Sequence, residues 1–328
     1  MRKTIVYNYR ADEDKYFKYY APKLGIELVK VLERPDETNA YLAEGCDQVT
    51  VLTDADVTEP MIKIYADCGV KLITTRTIGA DHIDLKAAEK YGVAVSRITY
   101  SPYSVADYTI MLILMVQRHV KTLITRYYGQ DYTILGSMGQ ELPGRTVGLI
   151  GGGRIGRAVA RHLSGFGCRI LMSDHHPSPE LEEIVEYCDQ EKIIEESDII
   201  SLHVPYTDKN AHMINAESIS RMKDGVIIIN TARGGLIDTG ALIDAIESGK
   251  VGGAGLDLVE GDRTVYYRDF KDEVISFRDK AVLDSFPNVI MLPHMAFYTD
   301  QVVDDMIRYT LEDCVKFCEG EELPFRLV

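Results

Sequence analysis

The chain has 328 residues, 46% of them hydrophobic, and a net charge of −15, a composition typical of a globular protein with two domains. So acidic a chain lacks the concentrated basic surface of nucleic-acid binders, so we expect no nucleic-acid partner. The apolar run at residues 110–116 is far shorter than the roughly 20 residues of a membrane span, and we expect neither membrane insertion nor a signal peptide. Six scattered cysteines without metal-site spacing predict ordinary thiols, no metal centre and a reducing cytoplasm.

Short runs rich in Val and Ile alternate with helix-like stretches, in two series along the chain. Unbroken apolar strands separated by helices predict an α/β fold with parallel sheets covered on both faces, and two series predict two doubly wound domains. The first series comprises residues 4–8, 26–32, 48–52, 70–75 and 93–96, and the second comprises residues 146–151, 168–174, 198–204, 225–230, 253–258 and 288–293.

Two longer helices are predicted outside this alternation. Residues 101–128 form a mostly apolar stretch that opens with Ser-Pro, which predicts one long helix buried between domains or against a second subunit. Residues 299–320 predict the last helix, with Gly320 as its stop signal.

A glycine-rich motif follows the first strand of the second series and opens a helix. Gly151, Gly153 and Gly156 are spaced as in dinucleotide-binding folds, where they permit the tight turn, the approach of pyrophosphate and close packing of helix on strand. Asp174 ends the next strand, where a carboxylate accepts both ribose hydroxyls and repels a 2′-phosphate. The motif therefore predicts NAD rather than NADP.

Three polar groups follow predicted strands of the second series, at the edge where open α/β sheets bind ligands. They are Arg233, the acidic cluster at residues 257–262, and His294. Together they supply an anion-binding fork, a proton carrier that titrates near neutrality, and a carboxylate to hold that carrier. Beside a nicotinamide, this set suits reversible hydride transfer at a 2-keto acid.

The sequence resembles the D-isomer-specific 2-hydroxyacid dehydrogenase family over nearly its whole length. The shared motifs are TRTIGADHIDL (75–85), YSPYSVADYTIMLILM (100–115), GLIGGGRIG (148–156), SDIISLHVPYT (197–207), NTARGGLIDTGAL (230–242), GLDLVEGD (255–262) and PNVIMLPHMAFYT (287–299). The segments YRADEDKYF and AFYT are similar to those of the branch that contains D-lactate and D-hydroxyisocaproate dehydrogenases, including the lactate dehydrogenase of vancomycin resistance.

The resemblance implies a Rossmann NAD-binding domain inserted in a flavodoxin-like substrate domain. Residues 1–100 and 299–328 would form the substrate domain and residues 101–298 the NAD domain. The long helix after Tyr100 would help to build a homodimer.

The resemblance also implies residue roles. Arg233 would hold the substrate carboxylate and keto oxygen, His294 would exchange a proton with that oxygen, and the amides of Ile78 and Gly79 would bind the carboxylate from the opposite domain. Besides the three glycines and Asp174, the implied NAD-binding residues are Val105, Arg154, Ile155, Val204, Pro205, Thr231, Ala232 and Asp257.

One position departs from the family pattern. The carboxylate paired with the catalytic His in this branch is generally Glu, five residues after the Asp of LD, and here that position is Asp262. Because Asp is shorter by one methylene, its hydrogen bond to His294 requires a closer backbone or an intervening water. We assign the role to Asp262, with Glu260 as the alternative.

The substrate side chain is expected to face the first domain. Leu52 falls where related enzymes carry a residue that touches this side chain, and Tyr100 and Phe297 would supply further walls. Leu52 offers no charge partner, which favours pyruvate or larger apolar 2-keto acids such as 2-ketoisocaproate and phenylpyruvate over 2-ketoglutarate. A simple core position for Leu52 is the alternative. Arg10 could approach the pocket, although an N-terminal Arg is usually a surface residue.

Other functions on the same scaffold fit less well. An NAD-sensing transcriptional co-repressor would have protein binding as its output, but the acidic chain and the AFYT segment favour a metabolic enzyme. A dehydrogenase for a dicarboxylic hydroxy acid is a further alternative. Formate dehydrogenases would be expected to lack a carboxylate partner for the His, whereas we expect one here. Phosphoglycerate dehydrogenases often carry a regulatory extension, which we do not expect in this protein.

Overall fold

A computed structural model describes residues 2–328, which divide into two compact units. Unit 1 comprises the residues up to Ser101 together with Tyr298–Val328, and unit 2 comprises Pro102–Phe297. The chain thus leaves unit 1, completes unit 2 and returns to unit 1 for its last helix.

Unit 1 is built on a five-stranded parallel sheet with the order β2-β1-β3-β4-β5, as in flavodoxin-like folds. Its strands are β1 (Arg2–Val6), β2 (Ile26–Lys30), β3 (Gln48–Val51), β4 (Leu72–Thr75) and β5 (Ala94–Arg97). Its helices are α1 (Asp14–Lys23), α2 (Glu59–Asp67), α3 (Leu85–Tyr91) and α11 (Asp300–Cys318). The central strands β3 and β4 are buried throughout, as expected for a sheet covered on both faces.

Unit 2 is built on a seven-stranded parallel sheet with the order β12-β11-β10-β9-β6-β7-β8. Its strands are β6 (Thr146–Ile150), β7 (Arg169–Ser173), β8 (Glu186–Tyr187), β9 (Ile199–Leu202), β10 (Val226–Asn230), β11 (Val251–Leu256) and β12 (Val289–Met291). Its helices are α4 (Tyr103–Gln117), α5 (Val120–Tyr128), α6 (Arg154–Leu163), α7 (Gln190–Glu196), α8 (Ala216–Arg221), α9 (Thr239–Glu247) and α10 (Arg278–Ser285). The order reverses beside β6, the strand that leads into the glycine-rich loop, as in Rossmann folds.

The predicted fold class, two doubly wound parallel-sheet domains, is confirmed. Every predicted strand has a counterpart, whereas β8 was not predicted from the sequence. This edge strand has two residues, one of them a glutamate, and it pairs with β7 through Leu171 and Met172. So short a strand has no apolar run by which a sequence could reveal it.

The prediction of one helix over residues 101–128 is wrong, because two helices occupy this range. α4 ends at Gln117, and His119 adopts a left-handed conformation with φ of 49° before α5 begins. Lys121 then holds α5 against the end of α10, since its Nζ donates to the carbonyls of Asp284, Phe286 and Val289 at 2.7–2.9 Å. The apolar face of α4 ends at Val116, so the polar residues that follow allow the chain to turn.

A buried ion pair organises the strand ends of unit 1. The Arg76 guanidinium, directly after β4, donates to Glu13 at 3.2 Å, and both side chains are fully buried. Arg76 also donates to the carbonyls of Tyr7 and Asn8, at the end of β1. These bonds fix the start of the loop that carries Ile78 and Gly79.

Candidate active site

Three neighbouring strands of unit 2 end at the same level. Asn230, the last residue of β10, is in register with Leu256 of β11, which is in register with Met291 of β12. Arg233, the acidic cluster 257–262 and His294 therefore leave one edge of the sheet side by side, as parallel strands require. The three groups expected from the sequence thus begin at adjacent strand ends.

The turn that carries Arg233 is held by a buried asparagine. Asn230 accepts a hydrogen bond from the Ala232 amide at 3.0 Å and donates to the Arg233 carbonyl at 2.9 Å. Gly234 brings this turn against the acidic cluster, since a Cβ there would lie 2.1 Å from the Val259 carbonyl carbon. A side chain at position 234 would force the two loops apart.

A buried carboxylate anchors the loop of His294. The Asp257 carbonyl accepts the His294 amide at 2.9 Å, and its carboxylate oxygens accept the amides of Met295 and Ala296 at 2.9 and 3.0 Å. Tyr108, on α4, donates its hydroxyl to the same carboxylate. Burial nevertheless raises the pKa of Asp257 to about 6, because these hydrogen bonds only partly offset the loss of solvent.

The other two carboxylates of the cluster have different surroundings. Asp262 is 8% exposed, and its Oδ2 is buried without a hydrogen-bond partner among the described residues. Burial raises the pKa of Asp262 to about 6, against the charges of Arg263 and Arg233, which lower it. Glu260 is half-exposed, and both of its oxygens lie 3.0 Å from Nε2 of His212.

Two aromatic rings surround the His294 imidazole. The ring of Tyr267 lies 5.7 Å from it and that of Phe297 lies 6.2 Å from it, measured between centroids. The ring plane of the predicted substrate-wall residue Phe297 is nearly perpendicular to the imidazole, at 83°.

The glycine-rich loop of unit 2 fits a dinucleotide. Gly151 has φ of 107°, and a Cβ at Gly156 would lie 2.0 Å from the Gly151 carbonyl oxygen, so both positions require glycine. A Cβ at Gly153 would instead point into open space, at the N-cap of α6. The amides of Arg154 and Ile155, in the first turn of α6, are therefore available to hold a pyrophosphate there.

The predicted ribose-binding carboxylate lies beside this loop. Asp174 accepts hydrogen bonds from the Gly152 and His176 amides, each at 2.7 Å. Val204 and Pro205 leave the adjacent strand β9, where the His203 carbonyl oxygen lies 2.5 Å from a Cβ placed at Gly151. Asp174 and Val204 thus border the glycine-rich loop, and Pro205 follows directly after Val204.

The remaining predicted cofactor residues lie where β10 meets α4. Thr231 and Thr109 of α4 share a hydrogen bond of 2.9 Å between their hydroxyls. Val105 is buried one turn earlier on α4, and its carbonyl accepts the Thr109 hydroxyl. Ala232 is half-buried beside Arg233.

The substrate residues predicted in unit 1 also follow its strands. Leu52 is buried after β3, and Tyr100 is half-buried in the segment after β5. The Ile78 carbonyl accepts from Arg97 at 3.1 Å, and the Gly79 carbonyl accepts from Thr77 at 2.7 Å. Both carbonyls are thus held by side chains of unit 1. Arg10 forms a bidentate pair with Asp12, at 2.8 and 3.1 Å.

Four residues of the site were missed by the sequence analysis: Asn230, Gly234, Tyr108 and Tyr267. Asn230 and Gly234 lie within the quoted NTARGG motif, and the pair of glycines there was a signal of close backbone approach. Tyr108 and Tyr267 act through contacts distant in sequence, which no local pattern reveals.

Among residues 2–328, no group of three or more His, Cys, Asp or Glu side chains is arranged to hold a metal ion. Over the same range, no helix has both the length and the apolar character that a membrane span requires.

Comparison with known proteins identifies the family. Residues 110–296 match the family model of the D-isomer specific 2-hydroxyacid dehydrogenase NAD binding domain. The chain belongs to this family. It is therefore an NAD-dependent 2-hydroxyacid dehydrogenase, and the predicted NAD cofactor agrees with the family and with the open N-cap of α6.

Three proteins illustrate the similarity of this dehydrogenase to its relatives. It is 38% identical over 317 residues to a D-specific alpha-keto acid dehydrogenase of Enterococcus faecium, covering 97% of each chain. It is also 38% identical over 317 residues to an aromatic 2-oxoacid reductase of Clostridium sporogenes, covering 96% of each. A structure of D-lactate dehydrogenase with NAD⁺ from Lactobacillus jensenii superposes with a TM-score of 0.85 at 32% identity, covering 99% of each chain.

The raised pKa of Asp262 predicts a specific pH dependence of stability. In the unfolded chain this carboxyl has an ordinary pKa of ~3.9. The folded dehydrogenase therefore binds more protons than the unfolded chain between about pH 4 and pH 6. The free energy of unfolding therefore falls as pH rises through this window, because buried Asp262 becomes charged. Above about pH 6 the whole destabilisation from the charged Asp262 is present. Asp262→Asn should raise the free energy of unfolding at pH 7.5 by on the order of 1 kcal/mol, with little change at pH 4.5.

Urea unfolding at the two pH values measures this difference. Glu260→Gln is the matched control, because Glu260 is half-exposed and paired with His212, and it should show no such gain. A loss of stability in Asp262→Asn at pH 7.5 would contradict the prediction.

Proposed function

We propose that this dehydrogenase reversibly reduces pyruvate or a larger apolar 2-keto acid to the (R)-2-hydroxy acid. In the proposal, His294 is the acid and base, Asp262 is its carboxylate partner and Arg233 binds the substrate. The observation that carries the proposal is the alignment of three strand ends, which sets Arg233, the acidic cluster and His294 side by side.

Each group of the proposed site has a separate role in the reaction. NADH supplies a hydride to the keto carbon when it is bound. The Arg233 guanidinium neutralises the substrate carboxylate and polarises the keto oxygen, and the amides of Ile78 and Gly79 bind the carboxylate. His294 donates its proton to the keto oxygen during reduction and removes it from the hydroxyl during oxidation.

Two observations favour Asp262 over Glu260 as the partner of His294. Asp262 has a buried oxygen without a hydrogen-bond partner among the described residues, whereas Glu260 places both oxygens on His212. The raised pKa of Asp262 is also typical of a functional carboxylate, because functional sites hold charged groups away from solvent.

The proposal of an apolar substrate side chain depends on Leu52. This residue is buried at the end of β3 and presents no charge. The guanidinium of Arg10, which precedes α1, is engaged by Asp12, and this disfavours recruitment of a second substrate carboxylate. The similarity to an aromatic 2-oxoacid reductase supports the same preference.

We further propose that the dehydrogenase is a homodimer. None of the residues of α5 is buried within the chain, although α5 carries Leu123, Ile124, Tyr127 and Tyr128. The segment that follows continues this surface with Tyr132, Ile134, Leu135 and Met138, the last of which is 89% exposed. So large an apolar surface suits an interface between two copies.

We also propose a cytoplasmic location. The six free thiols fit such a location, because a reducing compartment keeps thiols from forming disulfides.

The partner assignment predicts the pH profile of keto-acid reduction. A carboxylate beside His294 stabilises the imidazolium and raises its pKa, so Asp262→Asn should lower that pKa. Because reduction requires protonated His294, the alkaline limb of the kcat/KM profile should move to lower pH by about 1 unit. Steady-state NADH oxidation between pH 5 and pH 9.5 measures the shift.

Glu260→Gln is the control for this profile as well. It should leave the alkaline limb in place, because Glu260 pairs with His212. A shift in Glu260→Gln without one in Asp262→Asn would transfer the role to Glu260 and refute our assignment.

Substrate preference is tested with a panel of 2-keto acids. Pyruvate, 2-ketoisocaproate and phenylpyruvate should give kcat/KM values at least tenfold above that of 2-ketoglutarate, because a buried second carboxylate would lack a charge partner. Initial rates with NADH and NADPH in parallel measure both preferences. A preference for 2-ketoglutarate would overturn the proposal, and a Leu52→Arg variant should move activity toward it.

The dimer proposal is tested by sedimentation velocity. The native chain should sediment as a dimer, and replacing Ile134 and Met138 by Asp should shift it toward a monomer, because two buried charges would face an apolar surface. A monomeric native chain at micromolar concentration would contradict the proposal.

A further inference from the structure

Tyr267 is attached to the backbone of His294. Its hydroxyl donates to the His294 carbonyl oxygen at 2.7 Å, across 27 residues of sequence. Its ring also lies 5.7 Å from the imidazole, with an angle of 34° between the two planes. One side chain therefore contacts both the peptide and the ring of the proposed proton donor.

The conformations of the two residues are unusual. His294 has φ of 56° and Tyr267 has φ of 63°, in the left-handed region that bulky side chains rarely adopt. Such conformations persist only where surrounding contacts determine them. The Asp257 carbonyl accepts the His294 amide, and the Tyr267 hydroxyl donates to the His294 carbonyl oxygen.

Two aromatic rings restrict the imidazole. Tyr267 and Phe297 lie 6.4 Å apart and edge to face, and Phe297 is likewise edge to face with His294. Tyr267 is 42% exposed, so much of its side chain lies outside the core. An exposed tyrosine of this kind contributes little to core packing, so its contacts with His294 are its distinctive feature.

The same short segment carries Asp262 and Tyr267. Asp262 opens a turn in which its carbonyl accepts the amides of Val265 and Tyr266, both at 2.9 Å. Tyr267 follows directly. The carboxylate proposed to set the charge of His294 and the side chain that contacts its ring are therefore fixed by one turn.

We propose that Tyr267 is a positioning residue for His294: its hydroxyl fixes the backbone of His294, and its ring fixes the orientation of the imidazole. This inference rests on the proposed role of His294 as proton donor. Tyr267 itself exchanges no proton with the substrate, and its effect is on the alignment of His294 with the keto oxygen. Misalignment of a general acid slows the proton-transfer step more than it weakens substrate binding.

The test compares two substitutions that remove different parts of the side chain. Tyr267→Phe removes the hydrogen bond and keeps the ring, whereas Tyr267→Leu removes both. We expect kcat for pyruvate reduction to fall about fivefold and about fiftyfold, respectively, with KM changing less than threefold. The primary isotope effect on kcat with 4-deuterated NADH should increase, because the chemical step becomes more rate-limiting. Tyr41→Phe, at an exposed position of unit 1, is the matched control.

A double-mutant cycle separates this inference from the proposed function. In a His294→Ala background, Tyr267→Leu should cause no further loss, because the group it positions is absent. An equal loss in both backgrounds, or unchanged kcat in the single variants, would overturn the inference. Full activity of His294→Ala would instead refute the proposed function. If Tyr267→Leu fails to fold, Tyr267→Phe in the same two backgrounds decides the matter.

Discussion

The geometry of the site depends on one buried carboxylate. Asp257 directly follows β11; its carboxylate accepts the amides of Met295 and Ala296, and its backbone carbonyl accepts the His294 amide. It therefore joins two neighbouring strand ends at the point where His294 emerges. A carboxylate that accepts several backbone N–H groups is a strong and directional anchor. Its cost is the burial of an ionisable group, which the raised pKa of Asp257 reflects.

Two buried carboxyl groups of the site, those of Asp257 and Asp262, are unfavourable to ionise and lie on the same loop. Asp257 and Asp262 both have raised pKa values, five residues apart, on a loop that Gly234 brings against the Arg233 turn. Two groups that resist ionisation so close together destabilise the fold at neutral pH, and Arg233 offsets part of this cost. A fold tolerates such a region because the two apolar sheets supply most of the stability.

The strands of both sheets were predictable because each is marked by a short pattern of neighbouring residues. Each buried strand, such as β10 or β4, is an apolar run between polar segments, and Gly151, Gly153 and Gly156 carry their turn chemistry in their spacing. The break at His119 escaped prediction because apolar residues recur in α5 directly after the short polar stretch at 117–119, so that the whole range reads as one helix. The Lys121 contacts that hold α5 at the end of α10 join residues distant in sequence. Three further contacts join residues that are distant in sequence: Tyr108–Asp257, Gly234–Val259 and Tyr267–His294. No local sequence pattern reveals which distant residues come into contact.

The hydrogen bonds of Asp174 have a consequence for cofactor engineering. This carboxylate already holds the Gly152 and His176 amides, so it supports the shape of the glycine-rich loop in addition to its predicted role at the ribose. Replacing it to admit a 2′-phosphate also releases two backbone donors at the entrance to the pyrophosphate site. A redesign for NADP therefore has to restore an acceptor for Gly152 before a new cation beside His176 can be useful.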